Sequence, residues 1–177
     1  MAVFYGPGSL LIANGSLHDP NFKRTVVLIC VHDENGTFGL VLNRPTSLTV
    51  AKALPGFPLP PDPKEVLYTG GPVQVDRVQI LHGSAEVISN AIPVCEGVFL
   101  GGNFGDLPNP HRFYIGYSGW GPGQLDREME EKAWIVCPAK KEIVFSPSPE
   151  NLWSLVLKAL GGSFAFLATM PENPGLN

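Results

Sequence analysis

Gly116-Tyr-Ser-Gly-Trp-Gly-Pro-Gly-Gln-Leu-Asp-Arg-Glu128 sets two aromatics among closely spaced glycines and then runs into an acidic, helix-like stretch. Glycine loses more conformational freedom on ordering than any other residue, so packing must hold this loop in one unusual backbone path. Tyr117 and Trp120 either anchor that path by burial or line a pocket or partner surface. Pro122 suits the first turn of a helix over 122–132, and Asp126, Glu128, Glu130 and Glu131 lie toward its positive end, where they would repel an anionic ligand. Gln124 beside the loop is a neutral hydrogen-bonding group, read equally well as a helix cap or as a functional contact.

Outward from this segment the chain reads mainly as strands. His111–Tyr117 leads into the loop. Upstream, Ser9–Ala13 is a short apolar strand, and Arg24–His32 is a continuous β-branched run suited to burial on both faces. Asp33-Glu-Asn-Gly36 turns the chain, with Asn35-Gly36 supplying positive φ angles, into a return strand Phe38–Asn43 that ends at Pro45. Thr49 caps a short helix, Val50–Leu54, and Pro55–Pro63 is an extended proline-rich loop. Further strands are expected at Val66–Tyr68, Val75–His82, and as a pair around Val87 and Val98–Leu100. Ala133–Cys137 and Glu142–Phe145 suggest a hairpin. Ser148 and Pro149 open a helix with an apolar stripe at Leu152, Leu155, Val156, Ala159 and Leu160, ended by Gly161-Gly162. Ser163–Met170 reads as a final strand. The fold class is α+β: one compact domain over 1–177 (core about 9–170), a mainly antiparallel sheet or flattened β-barrel flanked by two to three helices.

Composition narrows the function classes. The 177 residues are 44% hydrophobic and 16% charged, with 20 Gly and 18 Pro, which describes a globular chain of many turns and short elements. A net charge of −4, with the basic residues scattered apart from Lys23-Arg24 and Lys140-Lys141, argues against direct DNA binding. Cys30, Cys95 and Cys137 are odd in number, far apart and each in an apolar stretch, as expected of reduced core thiols in a cytoplasmic protein. No secretory leader pattern and no membrane span is read in the chain.

Several residues carry possible chemistry. Cys30 and His32, two apart on a strand, would share a face and could form a thiolate nucleophile or two metal ligands; the alternative is a core thiol beside a strand-end histidine. Four dispersed histidines without paired-ligand spacing give no metal site, and no cofactor is expected. Arg44 in Asn43-Arg44-Pro45 could grip a carboxylate or phosphate, or fix the turn internally. Tyr68-Thr-Gly-Gly-Pro-Val73 lacks the ending of a phosphate loop and is read as a backbone turn. No nucleophile elbow, zinc-protease or dinucleotide fingerprint is present, so nothing in the spacing requires an enzyme.

Gly8-Ser-Leu-Leu-Ile-Ala13, Asp19-Pro-Asn-Phe22 followed by Thr25-Val-Val27, Gly39-Leu-Val-Leu-Asn-Arg-Pro45, Tyr68–Val73, Leu81-His82 and Gly116–Leu125 occur in an order that resembles the AlgH/YqgE-like bacterial family; Glu128, Trp134 and Trp153 follow. Ser118 stands where that pattern has alanine, and Asp126 where it has glutamate. The resemblance spans roughly Ser9–Gly161. It implies a compact α+β domain with a barrel-like sheet, and it supplies no catalytic residues. Some members carry a transcriptional-regulator label through a link to alginate synthesis, which implies at most an indirect link to transcription regulation. The expectation is a non-enzymatic binding or regulatory protein with a protein or small-molecule partner, acting through one surface of Asn43, Arg44, His82, Tyr117, Trp120 and Gln124, because polar motif residues fall at strand ends and loops. The rival is a thiol- or histidine-dependent hydrolase using Cys30 with His32 or His82.

Overall fold

The computed structural model describes residues 4–58, 61–84 and 86–172. Among these, ten strands join one sheet: β1 (Ser9–Ala13), β2 (Val26–Asp33), β3 (Gly36–Val41), β4 (Pro45–Thr49), β5 (Val66–Thr69), β6 (Val73–His82), β7 (Ile92–Cys95), β8 (Val98–Leu100), β9 (His111–Trp120) and β10 (Trp134–Pro138). Five short helices accompany them: α1 (Val50–Ala53), α2 (Gln124–Glu130), α3 (Lys141–Val144), α4 (Leu152–Leu160) and α5 (Gly162–Leu167). The main strand order is β10-β1-β2-β3-β9-β6-β8-β7, with β4 and β5 attached beside β9. Every pairing is antiparallel except β5–β9. The architecture is the expected α+β domain with a curled antiparallel sheet, carrying more helices than the sequence suggests.

Alternation along the strands sorts the core into two faces. Leu10, Ile12, Val26, Leu28, Leu40 and Tyr114 pack one way, against Trp153, Val156 and Leu157 of α4. Leu11, Ala13, Val27, Ile29 and Val41 pack the other way, with Trp120, Leu125 and Trp134. As the β-branched run predicts, residues 26–30 are buried, with neighbours β1 and β3 on both edges.

The glycine-rich segment is where the chain crosses itself. β5 runs beside β9 at residues 113–115, β3 takes over the same edge at 118–120, and β6 lies along the opposite edge. To pass from β5 to β6 the chain must step over β9, and it does so at Gly70-Gly71 against Gly116. Gly116 has φ +67, and a Cβ there would lie 2.3 Å from the Gly71 carbonyl oxygen; one on Gly71 would lie 2.2 Å from the Tyr117 carbonyl. The Gly70 N–H donates to Ile115 O (2.9 Å), and Gly70 O accepts from Val41 N (2.8 Å) and the Ser118 hydroxyl (3.0 Å). The Tyr68–Val73 segment is therefore a backbone turn, and its glycines are steric requirements.

Several elements differ from expectation, each for a local reason. The strand partners of β8 are β6 and β7, while Val87 lies outside any strand and is fully exposed. Ala133–Cys137 does not form a hairpin with Glu142–Phe145; it becomes β10, which pairs over five positions with β1, and Lys141–Val144 coils into α3. Ser163–Met170 is helical through α5: the positive φ of Gly161 and Gly162 restarts a helix that lays Leu167 and Ala168 on the core. Pro45 begins β4 instead of ending the sheet, and α1 is capped by Thr49 as expected. α2 starts only at Gln124, behind a left-handed Gly123. In the first hairpin only Gly36 takes positive φ, and Asp33 accepts from Asn35 N (2.8 Å) across the turn. The first turn of the last long helix is a 3-10 turn at Pro149–Asn151, and its buried stripe turns onto Trp153 and Leu157, leaving Leu155 and Leu160 exposed. Residues 59–60 of the proline-rich loop lie outside the described residues.

Candidate functional site

The corner before β2 is braced by hydrogen bonds from several sides. Asp19 O accepts from Phe22 N (2.9 Å) and Lys23 N (2.7 Å), and its carboxylate accepts from Asn21 N (2.8 Å). Arg24 then takes φ 55, a left-handed conformation that costs a residue with a Cβ about 1–2 kcal/mol. Asn43 holds the kink like a short piece of strand: its Oδ1 accepts from Val26 N (2.9 Å) and its Nδ2 donates to Arg24 O (2.8 Å). Arg44 Nη2 donates to Lys23 O (3.0 Å). Burial lowers the Arg44 pKa and the Asp19 charge opposes that shift; its hydrogen bond to the Lys23 carbonyl makes Arg44 a brace of the corner.

That corner supplies the polar wall of a cavity of about 330 Å³, at the lower end of the roughly 300–1,000 Å³ usual for ligand sites. Leu17, Trp153, Leu167 and Met170 make its apolar walls. The Arg24 guanidinium lies 4.7 Å over the centre of the Trp153 ring, and its Nη2 donates to Met170 O (2.7 Å). The Trp153 indole is fixed in turn by donating to Ala13 O (2.9 Å). Gly15 approaches α5 so closely that a Cβ would sit 2.7 Å from Leu167 Cδ1.

The six residues expected on one surface occupy three places. Asn43 and Arg44 hold the Lys23–Arg24 corner from behind. Tyr117 stacks on Phe38 (4.6 Å between centroids) in an open groove beside Trp120 and Gly121. Trp120 is buried and donates to Glu128 Oε2 (2.9 Å); Gln124 accepts from Gly121 N (3.1 Å) and donates to Glu128 Oε1 (3.1 Å), which braces the loop against the helix. His82 is 1% exposed, sits beside Phe99 and Phe104 and donates from Nε2 to Gly101 O (3.0 Å); burial lowers its pKa. The pairing of Arg24 with Trp153 escapes sequence reasoning because no spacing rule links a loop cation to an indole in the last third of the chain.

The structure does not assemble the Cys30–His32 pair that a hydrolase would need. A bulge leaves Cys30 unpaired between Ile29 and Val31, so Cys30 and Val31 both face the core and His32 turns outward. His32 Nδ1 lies 2.7 Å from the Thr37 hydroxyl and its ring meets Tyr5. Cys30 is 1% exposed, its thiol donates to Leu28 O (3.6 Å), and burial pushes its pKa up, so the thiolate is suppressed.

A second ionisable pair escapes the sequence reading. His111 Nε2 lies 2.7 Å from Glu65 Oε1, both side chains being largely buried, and His111 Nδ1 contacts Pro108 O. Hydrogen bonding to Glu65 raises the His111 pKa, against the opposing effect of burial. A folded-state pKa above the ordinary value of about 6.5 gives stability that is fully present below it and is lost as pH rises through the raised folded value. Urea midpoints measured from pH 5.5 to 8.5 are expected to fall more steeply in the native chain than in His111→Gln. His82 is shifted the opposite way, chiefly by burial and in smaller part by the His111 charge, so most of its contribution is common to both proteins. Equal slopes would contradict the assignment.

Among the described residues, no three His, Cys, Asp or Glu side chains cluster as metal ligands, and no helix is long and apolar enough to cross a membrane. Fold and site define a single-domain α+β protein in which motif residues brace backbone crossings and corners around a small, largely apolar cavity. The chain belongs to the AlgH-like family, whose model matches residues 10–165. It is 44% identical over 181 residues to a UPF0301 protein of Chlorobium limicola, covering 97% of this chain and 95% of that protein. A crystal structure of a Corynebacterium diphtheriae protein matches with a TM-score of 0.82 at 27% identity, covering 96% of this chain and 95% of the other. The solution structure of the AlgH protein from Pseudomonas aeruginosa matches with a TM-score of 0.75 at 32% identity, covering 97% of both. These relatives supply the family and the fold, and no specific activity.

Proposed function

We propose that this chain is a non-enzymatic small-molecule-binding protein whose site is the cavity between the Lys23–Arg24 corner and Trp153. One observation carries this reading: Arg24 is held in a left-handed conformation by Asn43 and laid over an immobilised indole in the cavity wall. Strain of this kind persists only where the surroundings over-determine it, and it concentrates at functional sites. Asn43 and Arg44 then act as positioning residues. Any effect on transcription runs through ligand occupancy or a protein partner, which suits a chain of net charge −4.

The test is an unbiased one. Small molecules that co-purify with the chain from a bacterial lysate are compared by mass spectrometry between the native protein and Met170→Trp. Met170 lines the cavity and is 45% exposed, so an indole there fills space without invading the core. The native chain is expected to carry at least one species that the variant lacks or holds at about a tenth of the level or less, a loss of roughly 1.4 kcal/mol or more in binding. Identical profiles would sink the reading.

A further inference from the structure

We infer that the cavity ligand is a small amphipathic carboxylate, and that Glu172 of the chain's own C-terminal segment competes with it for the Lys23–Arg24 pair. This rests on the cavity reading above and adds the ligand's chemistry and its competitor.

The charge around the cavity is asymmetric. Among the described residues that line it, Lys23 and Arg24 are cations and Glu172 is the one carboxylate. Glu172 reaches Lys23 at 3.8 Å, and Met170 O takes one N–H of Arg24. Among the described residues, that is the only hydrogen bond from the Arg24 side chain, and no carboxylate pairs with it, although a guanidinium carries five N–H donors in a planar fork suited to a carboxylate. The cation is also already positioned: its backbone is fixed by Asn43 and its plane by Trp153, so a ligand need not order it on binding.

The other walls set the rest of the ligand. Leu17, Trp153 and Leu167 offer apolar surface, which suits a short aliphatic or flat aromatic body and gives a bare inorganic anion nothing to bury. The Lys23–Glu172 contact is solvent-reached, with side chains 30% and 63% exposed, so it belongs to the class of ion pairs that shift an equilibrium by about fivefold at most. An incoming carboxylate displaces it readily. The segment at residues 170–172 thus presents an anionic group and a carbonyl where a ligand carboxylate would bind, a built-in competitor that lowers apparent affinity.

Isothermal titration with octanoate, octan-1-ol and inorganic phosphate tests this on the full chain. Octanoate is expected to bind the native protein at least about tenfold more tightly than octan-1-ol, the effect of roughly one charge-assisted hydrogen-bonded contact, and phosphate to bind negligibly. Arg24→Asn removes the guanidinium while keeping a residue that tolerates left-handed φ, and it should bring octanoate down to the octanol level. Glu172→Gln should tighten octanoate by about twofold to fivefold, within the range of an exposed pair. Lys23→Gln, expected to weaken octanoate about threefold, stands in if Arg24→Asn lowers the urea midpoint sharply. Equal binding of octanoate and octanol in every variant would overturn the carboxylate assignment and leave the cavity reading standing. An unchanged octanoate affinity in Glu172→Gln would remove the competitor. Absence of binding by all three probes, with no species lost in Met170→Trp, would remove the cavity reading itself.

Discussion

Gly116→Ala is expected to leave the chain without a stable fold. Two effects add at this position. The backbone sits at φ +67, where any Cβ costs about 1–2 kcal/mol. The larger effect is steric: the new methyl would lie 2.3 Å from Gly71 O and 3.1 Å from Val73 O, both backbone atoms that cannot rotate away. Relief would mean separating β9 from the crossing segment, losing the Gly70 N–H bond to Ile115 and the bonds that Gly70 O accepts from Val41 and Ser118. A loss above about 4 kcal/mol is exceptional for one substitution but follows when several such mechanisms coincide, against a total stability of about 5–15 kcal/mol. Urea unfolding followed by circular dichroism reads it, with Gly121→Ala as the control. Gly121 lies in the same glycine-rich segment, just past β9, without a positive φ, and a methyl added there would meet no atom within 4 Å, so its variant should stay within about 0.5 kcal/mol of native. A folded, cooperative Gly116→Ala with a native-like midpoint would show that the crossing can open, and would remove the steric account of the motif.

The same crossing marks what is legible in the amino-acid sequence and what is not. β1, β2 and β8 are legible because local patterning decides them: β-branched runs bounded by turns pair wherever they find a partner. β10 is legible as a strand but not in its pairing, because β1 competes with the adjacent Glu142–Phe145 and wins with five registered positions. α5 escapes because Ser163–Met170 alternates like a strand, while its helical state depends on the two left-handed glycines before it. The candidate site is the least legible part. Asn43 and Arg44 stand out for their chemistry, but their hydrogen bonds go to the main chain of residues 23–26, and the side chain they position, Arg24, attracts notice only once it is seen over Trp153. Cys30 and His32 illustrate the converse: a spacing of two implies a shared face only where the strand is regular, and the bulge at Cys30 breaks that rule.

Glu128→Ala is expected to lower stability by about 2–5 kcal/mol while leaving the fold recognisable. Glu128 Oε2 accepts from two indoles at once, Trp120 Nε1 at 2.9 Å and Trp134 Nε1 at 2.8 Å, and both rings are 4% exposed. Removing the carboxylate leaves two buried donors unpaired, each costing about 1–3 kcal/mol, and frees the Gln124 amide that had donated to Oε1. For a domain of this size each kcal/mol lowers Tm by about 2–4 °C, so the shift should be on the order of 10 °C. Glu128→Gln keeps one oxygen that can accept from both indoles but loses the charge assistance and the acceptor of the Gln124 amide, so it should cost about 1–2 kcal/mol. An alanine variant as stable as the glutamine one would mean that the indoles find another acceptor and that the carboxylate is not their clamp. The consequence reaches beyond stability. Phe22 packs against both indoles, at 5.9 Å from Trp120 and 5.7 Å from Trp134, and it lies just upstream of Lys23 and Arg24. The glycine–tryptophan loop and its helix therefore hold the cavity's cationic corner from the outer face of the sheet, as Asn43 and Arg44 hold it from the β3 side. Octanoate affinity should accordingly fall in Glu128→Ala and stay near native in Glu128→Gln, so that a segment far from the cavity is tied to it through one aromatic ring.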